Sequence, residues 1–164
     1  MSRVCVRQAR LSDLDAISKI EELSFKEPYS RSLLLTLLLL HLDSFFVAEA
    51  SGEVIGYAVG AIIRKEGHII SIATHPLYRR RGVGRMLMEA LERALIAKHA
   101  KRLRLEVRED NDGARSFYER LGYKMAGRVR HYYGDGCDAL IYLKEVKEEF
   151  KIPSKTKLGP PSPI

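Results

Sequence analysis

Hydrophobic and polar positions change period several times along the chain, and each change marks an element. In residues 3–9, Val4 and Val6 alternate with more polar neighbours, which predicts a strand. Ser12 then stands where an N-cap belongs, with Asp15 three residues on in a capping-box-like spacing. Leu14, Ile17, Ile20 and Leu23 recur at three-residue steps, which predicts a helix with one buried face. Pro28 interrupts the pattern, because the residue before a proline avoids the helical region. A second helix starts near Ser30 or Ser32. Its leucines, spread over residues 33–42, occupy every side, which favours complete burial; the alternative is one face turned to a partner or a substrate groove.

Residues 45–49 and 54–63 are rich in Val, Ile and aromatic side chains and flank Ser51-Gly52, the pattern of a hairpin. A turn at Lys65-Glu66-Gly67 leads into a strand over 68–74, so three consecutive antiparallel strands are expected. After Pro76 a basic, glycine-containing loop opens a helix that reaches about His99, with Met86, Leu87, Ala90, Leu91, Ala94 and Leu95 on its buried face. Residues 102–108 alternate strictly, so Glu106 points away from the side that carries Leu103, Leu105 and Val107. A short helix over 112–121 and two closing strands, about 123–130 and 138–143, complete an α/β domain with a mixed sheet and no internal repeat. The domain spans 1–146. A Pro/Lys-rich extension, 147–164, carries Pro153, Pro160, Pro161 and Pro163 and is expected to be disordered or loosely docked.

Composition narrows the class. The 164 residues suffice for one domain with a sizeable core, and 46% hydrophobic with 30% charged residues excludes wholesale disorder, a collagenous repeat or a disulfide scaffold. Cys5 and Cys137 form no CxxC or Cys/His cluster, so no metal site is signalled and a reduced, cytoplasmic setting is expected. Met1-Ser2-Arg3-Val4 has no apolar segment behind its charge, so no secretory signal is expected. The leucine-rich run falls short of the ~20 residues that span a bilayer, and Thr36 and His41 break it. Asn111 is the one asparagine and Gln8 the one glutamine, as expected if heat-labile amides were avoided in a thermophile. A net charge of +7 suggests a polyanionic partner: nucleic acid, ribosome, or a phosphate-rich small molecule.

The loop before the long helix offers a candidate for that anion. Strand, basic glycine loop and helix suit a phosphate ester, because glycines admit a close backbone approach and the first helical turn has free N–H groups. Arg79, Arg80, Arg81 and Arg85 add charge around Gly82, Val83 and Gly84. A P-loop is excluded by the missing GK[ST], and a dinucleotide fingerprint by Leu87, which stands where its third glycine belongs. On the loop alone, an ordinary basic turn before a helix reads equally well. The remaining pattern, [RQ]-x-x-G-x-G, is met by Arg79, Gly82 and Gly84 and resembles the pyrophosphate loop of the GCN5-related N-acetyltransferases, the GNAT superfamily, which bind acetyl-CoA. Context extends the likeness over nearly the whole domain. Ser71-Ile72-Ala73-Thr74 before the loop, Leu105-Glu106-Val107-Arg108 followed by Asn111, Phe117-Tyr118-Glu119-Arg120-Leu121-Gly122-Tyr123, and Tyr132-Tyr133-Gly134-Asp135-Gly136 resemble the RimI and NatA catalytic-subunit group.

The resemblance implies a single GNAT domain: a mixed, mostly antiparallel sheet of about seven strands flanked by about four helices. It implies acetyl transfer from acetyl-CoA, without a metal, to the α-amine of protein N-termini that start with Ser, Ala, Thr or Met. Backbone groups of Ile72, Ala73 and Thr74 would then hold the acetyl and pantetheine parts, and those of residues 80–85 the pyrophosphate. Asn111 would contact the cofactor or, as its position also suggests, cap the following helix. Glu106 takes the general base position, with His68 as an alternative base; a solvated strand glutamate and a turn histidine are the plain readings of the same residues. Tyr118 matches the tyrosine that protonates the departing thiolate. Glu27 and Tyr29 form one wall of the peptide site and Tyr132 and Tyr133 the other. Partners would be protein or peptide N-termini, with ribosomes or nascent chains besides, met by a monomeric enzyme; no membrane is involved. Two rivals stand beside this reading: lysine or small-amine acetylation on the same scaffold, and a basic ribosome- or nucleic-acid-binding module, although no motif for sequence-specific nucleic-acid binding is present.

Overall fold

Eleven regular elements alternate along the computed structural model, which describes residues 2–147: β1 (Val4–Gln8), α1 (Leu14–Ser24), α2 (Arg31–Leu40), β2 (Phe45–Ala50), β3 (Glu53–Ile63), β4 (Glu66–Thr74), α3 (Val83–Ala97), β5 (Arg102–Arg108), α4 (Asp112–Arg120), β6 (Lys124–Val129) and β7 (Ala139–Glu145). The expected Pro/Lys-rich extension lies, beyond Lys147, outside the described residues. The strands form one seven-stranded sheet in the order β1-β2-β3-β4-β5-β7-β6, antiparallel except between β4 and β5. This is the expected α/β architecture.

Two hydrophobic clusters cover opposite faces of the sheet. On one, Leu87, Met88, Leu91 and Leu95 of α3 pack on Ile55, Ala58 and Ile69 and on the alternating Leu103, Leu105 and Val107. On the other, Leu14, Ile17 and Ile20 of α1 and Leu34 and Leu38 of α2 pack on Phe45, Val47, Tyr57 and Val59. Each such buried side chain contributes roughly 1.5–3 kcal/mol before the entropy of ordering it is set against that.

Local details depart from the pattern read along the chain. Ser12 does not cap α1: Leu11–Asp13 form a 3₁₀ turn first, and Asp13 accepts the Arg10 N–H (2.8 Å) while pairing with Arg7. Leu23 is exposed, because α1 rests on the sheet through a narrower stripe than the four leucine and isoleucine positions suggest. In α3 it is Met88, not Met86, that is fully buried, and Ala94 is only half-buried. The β3–β4 turn is made by Arg64 and Lys65, both left-handed (φ 51° and 67°), so Glu66 and Gly67 already belong to β4. Gly67 packs closely there: a Cβ would sit 2.7 Å from Leu103 Cδ2, so that side chain would have to shift to admit one. Complete burial of the leucine-rich helix is also wrong. Ser30 caps α2 by accepting the Leu33 N–H, Leu34 and Leu38 face the core, and Leu33, Leu39 and Leu40 are exposed, Leu40 at 69%. A helix ten residues long can lay only one side on a sheet.

Two irregularities open the sheet where chemistry can enter. Val59 pairs with Ser71 and Gly60 with Ile69, which leaves Ile70 as an extra, bulged residue of β4. Parallel pairing with β5 covers only Glu66–His68 against Arg102–Arg104, after which β4 and β5 diverge into a wedge. Gly60 makes the bulge possible: a Cβ there would lie 2.8 Å from the His68 carbonyl oxygen and 3.1 Å from Leu95 Cδ1. Gly60→Ala should therefore lower stability by about 1–3 kcal/mol, read as a lower denaturation midpoint. An unchanged midpoint would show that the bulge yields without cost.

Candidate active site

The wedge between β4 and β5 continues into a cleft of about 1670 Å³ that runs to the N-terminus of α3. At that end Gly82 is left-handed (φ 80°) and the first helical bond is Met86 N–H to the Gly82 carbonyl, 3.1 Å. The N–H groups of Val83, Gly84 and Arg85 thus have no acceptor within the helix and are free for an anion. Gly82 opens into empty space, while a Cβ on Gly84 would approach the Phe117 ring at 3.3 Å, so this glycine lets α3 and α4 close over the same spot. Arg80 and Arg85 line the cleft. Arg81 does not: its guanidinium lies 5.5 Å above the Tyr78 ring. Arg79 lines the cleft too and braces the loop, donating to the Thr74 carbonyl (3.1 Å) and to Ser24 Oγ (3.3 Å). Asn111 lines the cleft and also caps α4, accepting the Ala114 N–H at 3.1 Å. Free donors, a left-handed glycine and flanking guanidinium groups fit a diphosphate ester. Ile72, Ala73 and Thr74 line the adjoining stretch of β4, where alternate backbone groups face the wedge and not a neighbouring strand.

At the apex of the wedge His68 and Glu106 meet. His68 Nε2 lies 2.7 Å from Glu106 Oε2, and Arg104 Nε donates to Glu106 Oε1 at 3.1 Å. Burial raises the Glu106 pKa, but the hydrogen bond and charge of His68, with Arg104 behind them, outweigh it and hold the carboxyl below its usual range. Glu106 is therefore ionised at neutral pH. The two residues read along the chain as alternative bases form one pair.

Tyr118 reaches the cleft from α4, its ring edge-packed near Phe117 (5.3 Å between centroids) and Tyr123 (5.9 Å). Burial, with a smaller effect of Tyr133, pushes its hydroxyl well above the ordinary phenol range, so it stays protonated. The two expected walls face each other across the mouth. Glu27 Oε2 accepts the Gly134 N–H at 3.2 Å, an approach that a Cβ on Gly134 would block. Tyr132 and Tyr133 stack edge to face at 5.0 Å, and the Arg108 guanidinium lies 4.7 Å over Tyr133. Burial raises the pKa of both Tyr29 and Tyr133, the latter to about 12, and the charge of Glu106 adds to each. All the expected site residues except Arg81 thus border one cleft.

Two further residues were not singled out along the chain. Arg108 lies two residues beyond Glu106 on the same face of β5 and could have been flagged by that register alone. Glu21 sits on the apolar face of α1, next to Ile17 and Ile20, and a charge on a buried helical face is the signal that would have found it. Among the described residues no cluster of His, Cys, Asp or Glu could hold a metal, and no helix is long and apolar enough to cross a membrane.

The model of the Acetyltransferase (GNAT) family matches residues 14–123. The chain belongs to this family. As a GNAT protein and an acetyltransferase, it uses acetyl-CoA, which accounts for the diphosphate-suited end of the cleft. It is 38% identical over 149 residues to an N-alpha-acetyltransferase of Sulfurisphaera tokodaii, covering 83% of this chain and 89% of that one. Among solved structures it is similar to Ard1 from Thermoplasma volcanium (TM-score 0.85, 32% identity, 88% of this chain and 99% of that one). It is also similar to the ribosomal-protein-S18-alanine N-acetyltransferase from Escherichia coli (TM-score 0.78, 30% identity, 87% and 94%).

Proposed function

We propose that this GNAT enzyme acetylates the free α-amino group of protein and peptide N-termini, nascent chains included, by direct attack in a ternary complex. The observation that carries the reading is the His68–Glu106 pair at the wedge apex, in one cleft with Tyr29, Tyr132 and Tyr133. The N-alpha-acetyltransferase and Ard1 relatives support it. The setting is the cytoplasm, the working unit a monomer, and the accepted N-termini begin with Ser, Ala, Thr or Met.

Bound acetyl-CoA supplies an acyl group activated as a thioester. Backbone donors of Val83, Gly84 and Arg85, with Arg80 and Arg85, hold its diphosphate, and the free backbone groups of Ile72, Ala73 and Thr74 orient its acyl end. A chain-terminal amine has a pKa near ~8, so roughly a tenth is neutral at pH 7, whereas a lysine amine near ~10.4 is neutral in about one molecule in a few thousand. A carboxylate is an adequate base for the first and a poor one for the second. Glu106 takes the amine proton, directly or through one water, and His68, hydrogen-bonded to it, shares that proton. Tyr118 gives its proton to the leaving sulfur.

Turnover of acetyl-CoA with a peptide panel tests the proposal. Free-amine peptides starting Ser, Ala, Thr or Met should be acetylated, and α-blocked peptides with an internal lysine should not. Preferential modification of the blocked set would replace the reading with lysine acetylation. Absence of a thermal shift with acetyl-CoA alongside a salt-sensitive shift with RNA would replace it with a nucleic-acid-binding module.

A further inference from the structure

Glu21 is 2% exposed, one of two buried carboxylates among the described residues. The other, Asp13, is matched by Arg7 at 2.8 Å. Glu21 has no cation within ion-pair distance among the described residues; its partners are neutral donors from three elements. Its main-chain carbonyl accepts the Phe25 N–H at 3.1 Å, and its Oε1 accepts the Tyr29 N–H at 3.0 Å. One residue thus holds both ends of the segment 25–29. Its Oε2 accepts the Tyr57 hydroxyl of β3 and, at 3.5 Å, the Ser71 hydroxyl of β4, immediately after the bulged Ile70. Tyr57 Oη and Ser71 Oγ are themselves 3.0 Å apart.

A buried carboxylate without a counter-ion is costly, and a side chain that only filled space there would be apolar. The carboxylate makes a join that no apolar side chain could make. It fastens the segment carrying Glu27 and Tyr29 to the two strands that form the bulge, and Glu27 then reaches across to Gly134 on the opposite wall. The last turn of α1 is also tied to the diphosphate end through Arg79 and Ser24.

We infer that Glu21 is a positioning residue for peptide recognition: it sets the spacing of the two walls that receive the substrate N-terminus, without touching substrate. The inference rests on the peptide-acetylation reading above. It concerns affinity for the peptide and not the transfer step. Removing the carboxylate leaves the Tyr29 N–H and one of the two hydroxyls without an acceptor, the other still able to donate to its neighbour, and frees the wall. The base pair, Tyr118 and the diphosphate loop keep their own hydrogen bonds and contacts.

The test compares Glu21→Ala, Glu21→Asp and Glu21→Gln with the unaltered chain in steady-state kinetics, acetyl-CoA binding and hydrogen exchange. Glu21→Ala should raise the peptide KM about tenfold or more, with kcat and the acetyl-CoA Kd within about threefold. Exchange in residues 25–30 should accelerate in parallel. Glu21→Gln, whose carbonyl still accepts from Tyr29, should recover most of the affinity. Glu21→Asp, too short to reach Tyr29, should not, and it keeps the charge should the alanine variant fail to fold. An unchanged KM in both the alanine and aspartate variants, or a fall in kcat at constant KM, overturns the inference. Failure of the unaltered chain to acetylate any N-terminal peptide would instead overturn the reading on which it rests, while the exchange measurement still reports on the join.

Discussion

Glu106→Gln is expected to lower kcat by about 100-fold or more while leaving the acetyl-CoA Kd within about twofold, since general base catalysis contributes typically 10²–10⁴ and the diphosphate loop is untouched. The amide keeps a hydrogen bond to His68 and to Arg104, so geometry survives and only the proton acceptor is lost. Stability should change in a defined pH window. The native carboxyl titrates below its unfolded value, so its contribution is present above the ordinary carboxylate pKa and fades as the pH falls through the lower folded one. The variant lacks that term, and the stability difference between the two proteins should shrink on acidification. A variant with unaltered turnover at neutral pH would transfer the role of base to His68. Replacing His68 by Ala in the same assay would then give the large loss instead.

Tyr118→Phe is the second large effect. The ring has its own packing against Phe117 and Tyr123, and its hydroxyl bonds no described side chain, so the substitution should fold normally. With the phenol pKa raised by burial, the hydroxyl can act as a donor throughout the working range but not as a base. Loss of a positioned general acid should lower kcat by about 10²-fold, with peptide KM within about threefold. The measurement that separates this from a packing defect is the leaving group. An acyl donor with a more acidic thiol needs less protonation, and should narrow the gap between variant and parent. A constant gap across donors would remove Tyr118 from the proton path.

Much of the architecture was legible because it depends on short-range periodicity. The strict alternation of residues 102–108 put Glu106 on the side opposite the leucines, where it is found. The basic glycine loop preceding a helix was legible from its residue types alone, although the reason residue 84 must be small, the Phe117 ring, belongs to the tertiary structure. Helix starts were harder. Ser12 looks like a cap, but Asp13 is drawn to Arg7 on β1, a partner that no local pattern reveals. The leucines of α2 are equally uninformative about direction, since the ten-residue stretch is apolar on all sides and only the sheet beneath it selects Leu34 and Leu38.

The amino-acid order alone therefore determined the element sequence, most of the apolar face of α3 and all of that of β5, the anion-suited loop and the residue types the chemistry needs. These follow from φ/ψ preferences and from periods of 2 and 3.6, which act over a few neighbours. Tertiary structure decided that His68 and Glu106 are partners, that β4 bulges at Ile70, that Arg81 turns aside to Tyr78, and that Glu21 ties the peptide wall to the sheet. Except for the Arg81–Tyr78 contact, which spans three residues, each depends on the register and divergence of strands, or on helices laid across them, far apart in the chain, and such contacts form only when the two cores close on the sheet together.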